Sequence, residues 1–199
     1  MHGDGRGGTR HRAAVARSRA DAALRAAARG RTHAARRLVA IAGDAAVSAA
    51  LAARPATEAD LPALLLMMRS FCTEDRIPFD AARVETAAAA LIDDDAHGTI
   101  LLLGDAADAG YLVLTRNFSL EQGGVYVLLD ELFVAEHARG HGIGAAALAL
   151  AARQARDWGA ARLRLEVHHH NPRAKALYTR AGFRDDHRDM LTLDLASTA

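Results

Sequence analysis

The chain has 199 residues, 51% of them hydrophobic, which is enough for one domain with a buried core and an extension. No apolar run reaches the length of a membrane span, so we expect no membrane contact. The single cysteine, Cys72, excludes an internal disulfide and favours a reducing compartment. We therefore expect a cytoplasmic protein in which Cys72 is a small buried hydrophobe.

The formal net charge of +1 conceals two oppositely charged regions. Residues 1–53 contain ten arginines and three aspartates, for +7, whereas residues 54–199 contain 15 basic and 21 acidic residues, for −6. The first region is rich in Arg, Ala and Gly, so we predict a disordered or partly helical extension at 1–53 and a domain at 54–199. The alternatives are a basic arm for nucleic acid or acidic lipid, which lacks the usual interleaved aromatic residues, and a transit peptide.

The first half of the domain is predicted to contain two helices and then two strands. Thr57 and Asp60 have the spacing of a capping box, and apolar residues recur at helical spacing as far as Phe71. A loop with a helix-breaking proline covers residues 74–79, and Asp80 caps the second helix. The predicted strands lie at residues 99–103 and 111–115, with a turn at residues 117–124.

The second half is predicted to be organised around a buried strand at residues 125–134, which are apolar and β-branched. A helix at 145–158 ends at Gly159, and the alternating residues 162–167 form a strand. Asn171 is the expected N-cap of a last helix that ends at Gly182. Closing strands are predicted from Phe183 through residues 190–193. Together, all these elements predict an α+β domain with a mostly antiparallel central sheet and about four helices.

The segment after the long strand predicts an anion site. It consists of a glycine-rich turn, residues 139–144, that leads directly into a helix. The first amides of a helix have no intrahelical partner, and glycines let the backbone approach a phosphate closely. Arg139 adds a forked cation beside those amides. A pyrophosphate is the natural ligand of such a turn.

Two families of phosphate binder have turns of this kind. Residues 142–147 match G-x-G-x-x-A, with Glu166 about 20 residues further on, as in a dinucleotide-binding fold. However, residues 135–141 separate those glycines from the strand. The better match is R-x-x-G-x-G at 139–144, followed by N-x-x-A-x-x-x-Y-x-x-x-G-F at 171–183. In this order, the two motifs resemble the GNAT superfamily of N-acetyltransferases over residues 54–195.

The resemblance implies a set of site residues and acetyl-CoA as the co-substrate. The glycine turn would bind the pyrophosphate, the strand backbone and Asn171 would bind the pantetheine chain, and Tyr178 would protonate the departing thiolate. The implied cofactor-binding residues are Leu132, Phe133, Val134, Arg139, Gly140, His141, Gly142, Ile143, Gly144, Asn171 and Tyr178.

Acyl transfer to an amine also needs a base, because a primary amine is protonated at neutral pH. Asp130 and Glu131 lie in the long strand, where neighbouring side chains point to opposite faces, so only one is expected to face the acceptor. We favour Glu131 as the catalytic base, with Asp130 as the alternative. The three histidines at 168–170 alternate faces without a carboxylate or cysteine at ligand spacing, so we predict no metal site.

The sequence thus predicts a GNAT-type N-acetyltransferase that transfers acetyl directly within a ternary complex. The acidic domain favours a small, cationic amine as the acceptor. A noncatalytic acyl-CoA-binding regulatory domain is the alternative. Nucleic acid is expected as a partner only through the basic extension, and a homodimer is compatible with the sequence.

Overall fold

The computed structural model describes residues 51–193 and residue 195. A five-stranded sheet runs through them in the order β1-β2-β3-β4-β5. All neighbouring strands are antiparallel except β4 and β5, which are parallel. This confirms the predicted α+β class and excludes the dinucleotide-binding fold, whose sheet is mostly parallel. The strands are β1 (Ala53–Pro55), β2 (Gly98–Leu103), β3 (Gly110–Ser119), β4 (Gly124–Val134) and β5 (Leu163–Leu165).

Four α-helices flank the sheet in the described part of the chain: α1 (Leu61–Asp75), α2 (Ala81–Asp93), α3 (Ile143–Asp157) and α4 (Pro172–Arg180). The N-caps of α2 and α4 are those that the sequence predicts, because short polar side chains satisfy the first free amides of a helix. The Asp80 carboxylate accepts the Arg83 N–H at 3.1 Å, and the Asn171 side chain accepts the Ala174 N–H at 3.0 Å. The capping box of Thr57 is also present, before a short 3-10 turn that precedes α1.

Both faces of the sheet are buried, and consecutive residues of β3 serve opposite cores. Tyr111 and Val113 face α1 and α2, whereas Leu112 and Leu114 face α3. Cys72 is buried on α1, as expected. Removal of apolar side chains from water on both faces is the main source of stability for such a layered fold.

The structure corrects three predicted elements. β3 continues to Ser119, through part of the predicted turn at 117–124, because its pairing with β4 extends that far. β5 is shorter than the predicted strand at 162–167. The closing strands predicted from Phe183 onward are wrong, since the described residues 183–193 contain no strand. Leu191 there is 89% exposed, and alternation without a buried face does not specify a strand.

The described structure also reaches across the predicted domain boundary. Leu51 and Ala53 are buried with the core on the α3 side of the sheet, and β1 begins at Ala53. The rest of the predicted extension, residues 1–50, lies outside the described residues. No helix among the described residues is long and apolar enough to span a bilayer.

Candidate active site

The two parallel strands separate beside the predicted catalytic carboxylates. β4 pairs with β5 only over residues 127–129, although it continues to Val134 along β3. The β4 segment 130–134 therefore has no β5 partner on its outer edge. Its backbone groups, apart from the Val134 carbonyl that Arg139 binds, can pair with an extended ligand. The predicted backbone contacts at Leu132, Phe133 and Val134 all lie on this segment.

A bulge in β4 determines how the two carboxylates are placed. The pairing with β3 skips Asp130, because Glu131 lies opposite Val113 whereas Leu129 lies opposite Leu114. The strict alternation that we expected for Asp130 and Glu131 is therefore interrupted. The prediction that only one of the two carboxylates can face the acceptor rested on that alternation and no longer follows from it. The Asp130 carboxylate is also close enough to raise the pKa of Glu131.

Glu131 is held by a buried tyrosine of the neighbouring strand. The Tyr111 hydroxyl donates a hydrogen bond of 2.6 Å to Glu131 Oε2, and the Tyr111 side chain is fully buried. Burial raises the pKa of Glu131, the Tyr111 hydrogen bond lowers it, and Asp130 raises it, with a net rise above 4.5. A raised pKa makes a carboxylate a stronger base. Sequence reasoning missed Tyr111, because its role depends on the cross-strand register.

Asp130 differs from Glu131 in its surroundings. The residue is exposed, although desolvation still raises the pKa of its carboxyl group. Burial and the two carboxylates, by contrast, raise the pKa of the Tyr111 hydroxyl far above its usual value, so this group stays protonated and remains a donor. The site thus has one half-buried carboxylate with a fixed donor and one exposed carboxylate beside it.

The glycine turn has the backbone conformation that an anion site requires. Gly140 and Gly142 have φ angles of 84° and 79°, in the left-handed region that favours glycine. Because α3 begins at Ile143, its first amides lack intrahelical acceptors at the end of this turn. Gly144 serves packing instead. A Cβ there would lie 3.1 Å from the Leu177 side chain, so glycine lets α3 and α4 approach closely.

The Arg139 side chain has partners other than those predicted. Its Nε donates to the Val134 carbonyl at 2.9 Å, and its Nη2 donates to both carboxylate oxygens of Glu74, at 2.6 and 2.8 Å. Arg139 therefore ties the end of β4 to the end of α1. A contact between Arg139 and the phosphate stays a prediction, and the Glu74 carboxylate would compete with the phosphate for this guanidinium.

The second motif places Asn171 and Tyr178 on α4. Asn171 Nδ2 donates to Asp75 Oδ1 at 3.0 Å, across a separation of 96 residues in sequence. Tyr178 is half-buried, and its ring lies 6.0 Å from that of Phe183 in an edge-on arrangement. Burial, and then the Asp75 carboxylate, raise the pKa of Tyr178. The phenol is therefore protonated at neutral pH, as an acid must be.

The histidine triplet lies in the turn before α4. The rings of His168 and His170 stack with their centroids 5.0 Å apart. No group of three or more potential metal ligands occurs among the residues that the structure describes. His141 is exposed in the glycine turn.

The diverging strands, the glycine turn and the paired carboxylates define a class of protein that binds an extended, phosphate-bearing ligand beside a base. Comparison with known proteins makes this specific. The model of the acetyltransferase (GNAT) family matches residues 65–183, and the chain belongs to this family. The resemblance inferred from the two motifs is thereby confirmed.

Individual proteins that resemble this chain agree with its assignment to the GNAT family. The chain is 33% identical over 92 residues to the uncharacterized N-acetyltransferase YhfO of Bacillus subtilis (strain 168), an alignment that covers 45% of this chain and 62% of that protein. The chain therefore matches less than two thirds of this relative. An integron cassette protein from the mobile metagenome of Cole Harbour Salt Marsh has 34% identity and a TM-score of 0.63, over 73% of this chain and 91% of that one. A putative acetyltransferase from Arthrobacter sp. FB24 has 26% identity and a TM-score of 0.59, over 79% and 100%.

Proposed function

We propose that this chain is an N-acetyltransferase that transfers acetyl from acetyl-CoA directly to an amine within a ternary complex. The observation that carries the proposal is the divergence of β4 from β5 beside Glu131. The open edge of residues 130–134 suits the amides of a pantetheine chain, and the free amides at the start of α3 suit a pyrophosphate. Membership of the GNAT family supports acetyl-CoA as the ligand.

The proposed chemistry uses one carboxylate as the base and one phenol as the acid. Glu131, directly or through a water, takes a proton from the bound ammonium, whose pKa is about 10.4 in a lysine-like amine. The amine nitrogen then attacks the thioester carbonyl, so that a C–N bond forms and the C–S bond breaks. The nitrogen loses its second proton to solvent as the amide forms, and the thiolate receives a proton from the Tyr178 hydroxyl. Tyr178 then regains a proton from solvent, and Glu131 releases its own, so that one proton is released in each cycle.

Direct transfer is supported by the state of the one cysteine. Cys72 is 8% exposed, and burial raises the pKa of its thiol, as do the carboxylates of Glu131 and Asp75. A thiol is nucleophilic as the thiolate, so Cys72 is poorly suited to form an acyl-enzyme. We therefore propose a mechanism without a covalent intermediate.

We further propose a small, cationic acceptor. Asp130 and Glu131 lie close together, and each is easier to ionise when a cation is near. Not every acidic residue near the acceptor side contributes, because Glu74 is paired with Arg139 and Asp80 caps α2. The exposed carboxylates at the end of α2, which add to the acidic field, are Asp93, Asp94 and Asp95.

A panel assay tests the acceptor class. Polyamines and aminoglycosides are compared with amino acids and acidic peptides, and release of free CoA is measured at low and high salt. We expect the cationic compounds to react fastest and to lose rate as salt rises, because salt screens attraction between exposed charges. Faster reaction of anionic acceptors would contradict the proposed substrate class.

A further inference from the structure

The last two residues of α1 contact two different parts of the candidate site. Glu74 binds Arg139, which follows β4 and belongs to the glycine turn. Asp75 binds Asn171, the N-cap of α4, which carries Tyr178. The end of one helix thus joins the two elements between which the acyl donor would lie.

We propose that Asp75 is a positioning residue for the acyl-donor site, which fixes the side-chain amide of Asn171. This inference rests on the function proposed above. Asn171 Oδ1 accepts the Ala174 N–H at 3.0 Å, and Asn171 Nδ2 donates to Asp75 Oδ1 at the same distance. Both ends of the amide are therefore engaged, and the side chain cannot rotate without losing one hydrogen bond. Asp75 therefore leaves the Asn171 amide with a single orientation.

Asp75 is itself rigidly placed. The α1 helix ends immediately after it, at Arg76, which has a φ angle of 59° in the left-handed region. The Ile77 N–H returns to the Cys72 carbonyl at 2.8 Å, so the helix end is closed by its own backbone. A half-buried carboxylate on such an end is a better anchor for Asn171 than one on a mobile loop.

Asp75 also influences the second residue that the motif at 171–183 contributes to the site. Its carboxylate raises the pKa of the Tyr178 phenol, after the larger effect of burial. Asp75 therefore acts on both Asn171, through a hydrogen bond, and Tyr178, through its charge.

The test compares Asp75→Ala, Asp75→Asn and Asn171→Ala in the full chain, with Asp157→Ala as a control that removes an exposed carboxylate from the end of another helix, α3. Calorimetry gives the Kd for CoA, and steady-state kinetics gives KM for acetyl-CoA and kcat. We expect Asp75→Ala to raise both the Kd and KM by about tenfold, because one hydrogen bond to a charged group usually contributes at least that factor. The kcat should stay within about twofold. Asp75→Asn retains an oxygen that accepts from Asn171 Nδ2, so it should restore binding to within about twofold of the unmodified chain.

The double variant separates positioning from general damage. In an Asn171→Ala background, Asp75→Ala should cause no further loss, because the group that Asp75 fixes is already absent. Three results would each overturn the inference. They are additive losses of CoA affinity in the double variant, an Asp75→Asn variant as impaired as Asp75→Ala, and unchanged or tighter CoA binding in Asp75→Ala. If Asp75→Ala does not fold, Asp75→Ser is read against the same outcomes.

Failure of the underlying proposal has a different signature. If the unmodified chain does not bind CoA, the proposed function falls and this inference falls with it. If the unmodified chain binds CoA, and Asn171→Ala weakens binding while Asp75→Ala does not, only the role of Asp75 is refuted.

Discussion

Removal of one atom, the hydroxyl oxygen of Tyr111 that donates a hydrogen bond to Glu131, should shift the pH dependence of the proposed reaction. Tyr111→Phe removes the hydroxyl that donates to Glu131 Oε2 at 2.6 Å and leaves a ring of the same shape in a fully buried position. The hydroxyl stabilises the ionised form of Glu131, because a carboxylate accepts this hydrogen bond more strongly than a neutral acid does. Its loss therefore raises the pKa of Glu131 further.

The size of the shift follows from the strength of the bond. A hydrogen bond to a charged group contributes about 1.5–3 kcal/mol, and one pKa unit corresponds to about 1.4 kcal/mol, so a rise of about one to two units is expected. Glu131 must be ionised to act as a base. The rising limb of the pH profile of kcat/KM should consequently move to higher pH by that amount, while the rate at the plateau changes little.

The assay is acetyl transfer to one primary alkylamine with a single amino group between about pH 5 and 9. Such an amine stays protonated over this range, so a limb that moves reports a group of the enzyme. Tyr126→Phe is the matched control, because Tyr126 lies on β4 but is not a partner of Glu131. A limb that does not move in Tyr111→Phe, or that moves to lower pH, would refute the assignment of Glu131 as the base and of Tyr111 as its donor.

Three further predictions concern the framework of the site. Arg139→Ala should lower the free energy of unfolding in urea by about 1–2 kcal/mol, because it removes the partly exposed ion pair from Nη2 to Glu74 and the hydrogen bond from Nε to the Val134 carbonyl. An equal loss in Arg139→Lys would show that both donors of the guanidinium are needed, and no loss in Arg139→Ala would contradict the structural role. Gly110→Ala should cost about 3 kcal/mol or more in the same assay, since the new Cβ would collide with the Phe133 carbonyl oxygen across the sheet; a stable variant would mean that β3 and β4 are not this close. The pKa of Asp60 is lowered from 3.8, chiefly by the hydrogen bond from Arg54, so the stability that Asp60 contributes is present above pH 3.8 and is lost as the pH falls below 3.8 towards the lowered pKa. Acid titration of Asp60→Asn should lack this loss of stability. An acid profile that is the same in Asp60→Asn and the unmodified chain would argue against the pair of Arg54 and Asp60.

The parts of the fold that sequence analysis predicted correctly are those that depend on neighbours in sequence. Asp80 and Asn171 cap helices because a short polar side chain reaches amides only three residues away. The strand at 125–134 and the glycine turn could be predicted for the same reason, since burial pattern and backbone freedom are local properties. The order of these elements, together with the two motifs, was sufficient to recognise the family.

The contacts that organise the site join distant residues, and no local pattern contains them. Tyr111 meets Glu131 only because of the register between β3 and β4, and Glu74 meets Arg139 across a separation of 65 residues. The bulge at Asp130 is likewise invisible in a run of strand-forming residues, yet it changes which face the carboxylates occupy. Prediction of such features requires the pairing of the strands rather than their composition.

The C-terminal segment shows the converse error. The apolar residues Met190, Leu191 and Leu193 predict a closing strand, but their side chains are exposed, and no strand forms in the described residues 183–193. Apolar residues form a strand only where a partner strand and a core are available to bury one face.

The most direct test of the proposed function compares Glu131→Gln with the unmodified chain in acetyl transfer to the best amine of the panel, with the acetylated product measured by mass spectrometry. Glutamine keeps an oxygen that can accept from Tyr111 but cannot take a proton from the substrate. We expect CoA affinity within about twofold and a fall in kcat of about 100-fold or more, the usual contribution of a general base. An unchanged kcat in Glu131→Gln, or CoA binding by the unmodified chain with no acetylated product from any amine, would contradict the account; the second result would favour a noncatalytic acyl-CoA-binding domain.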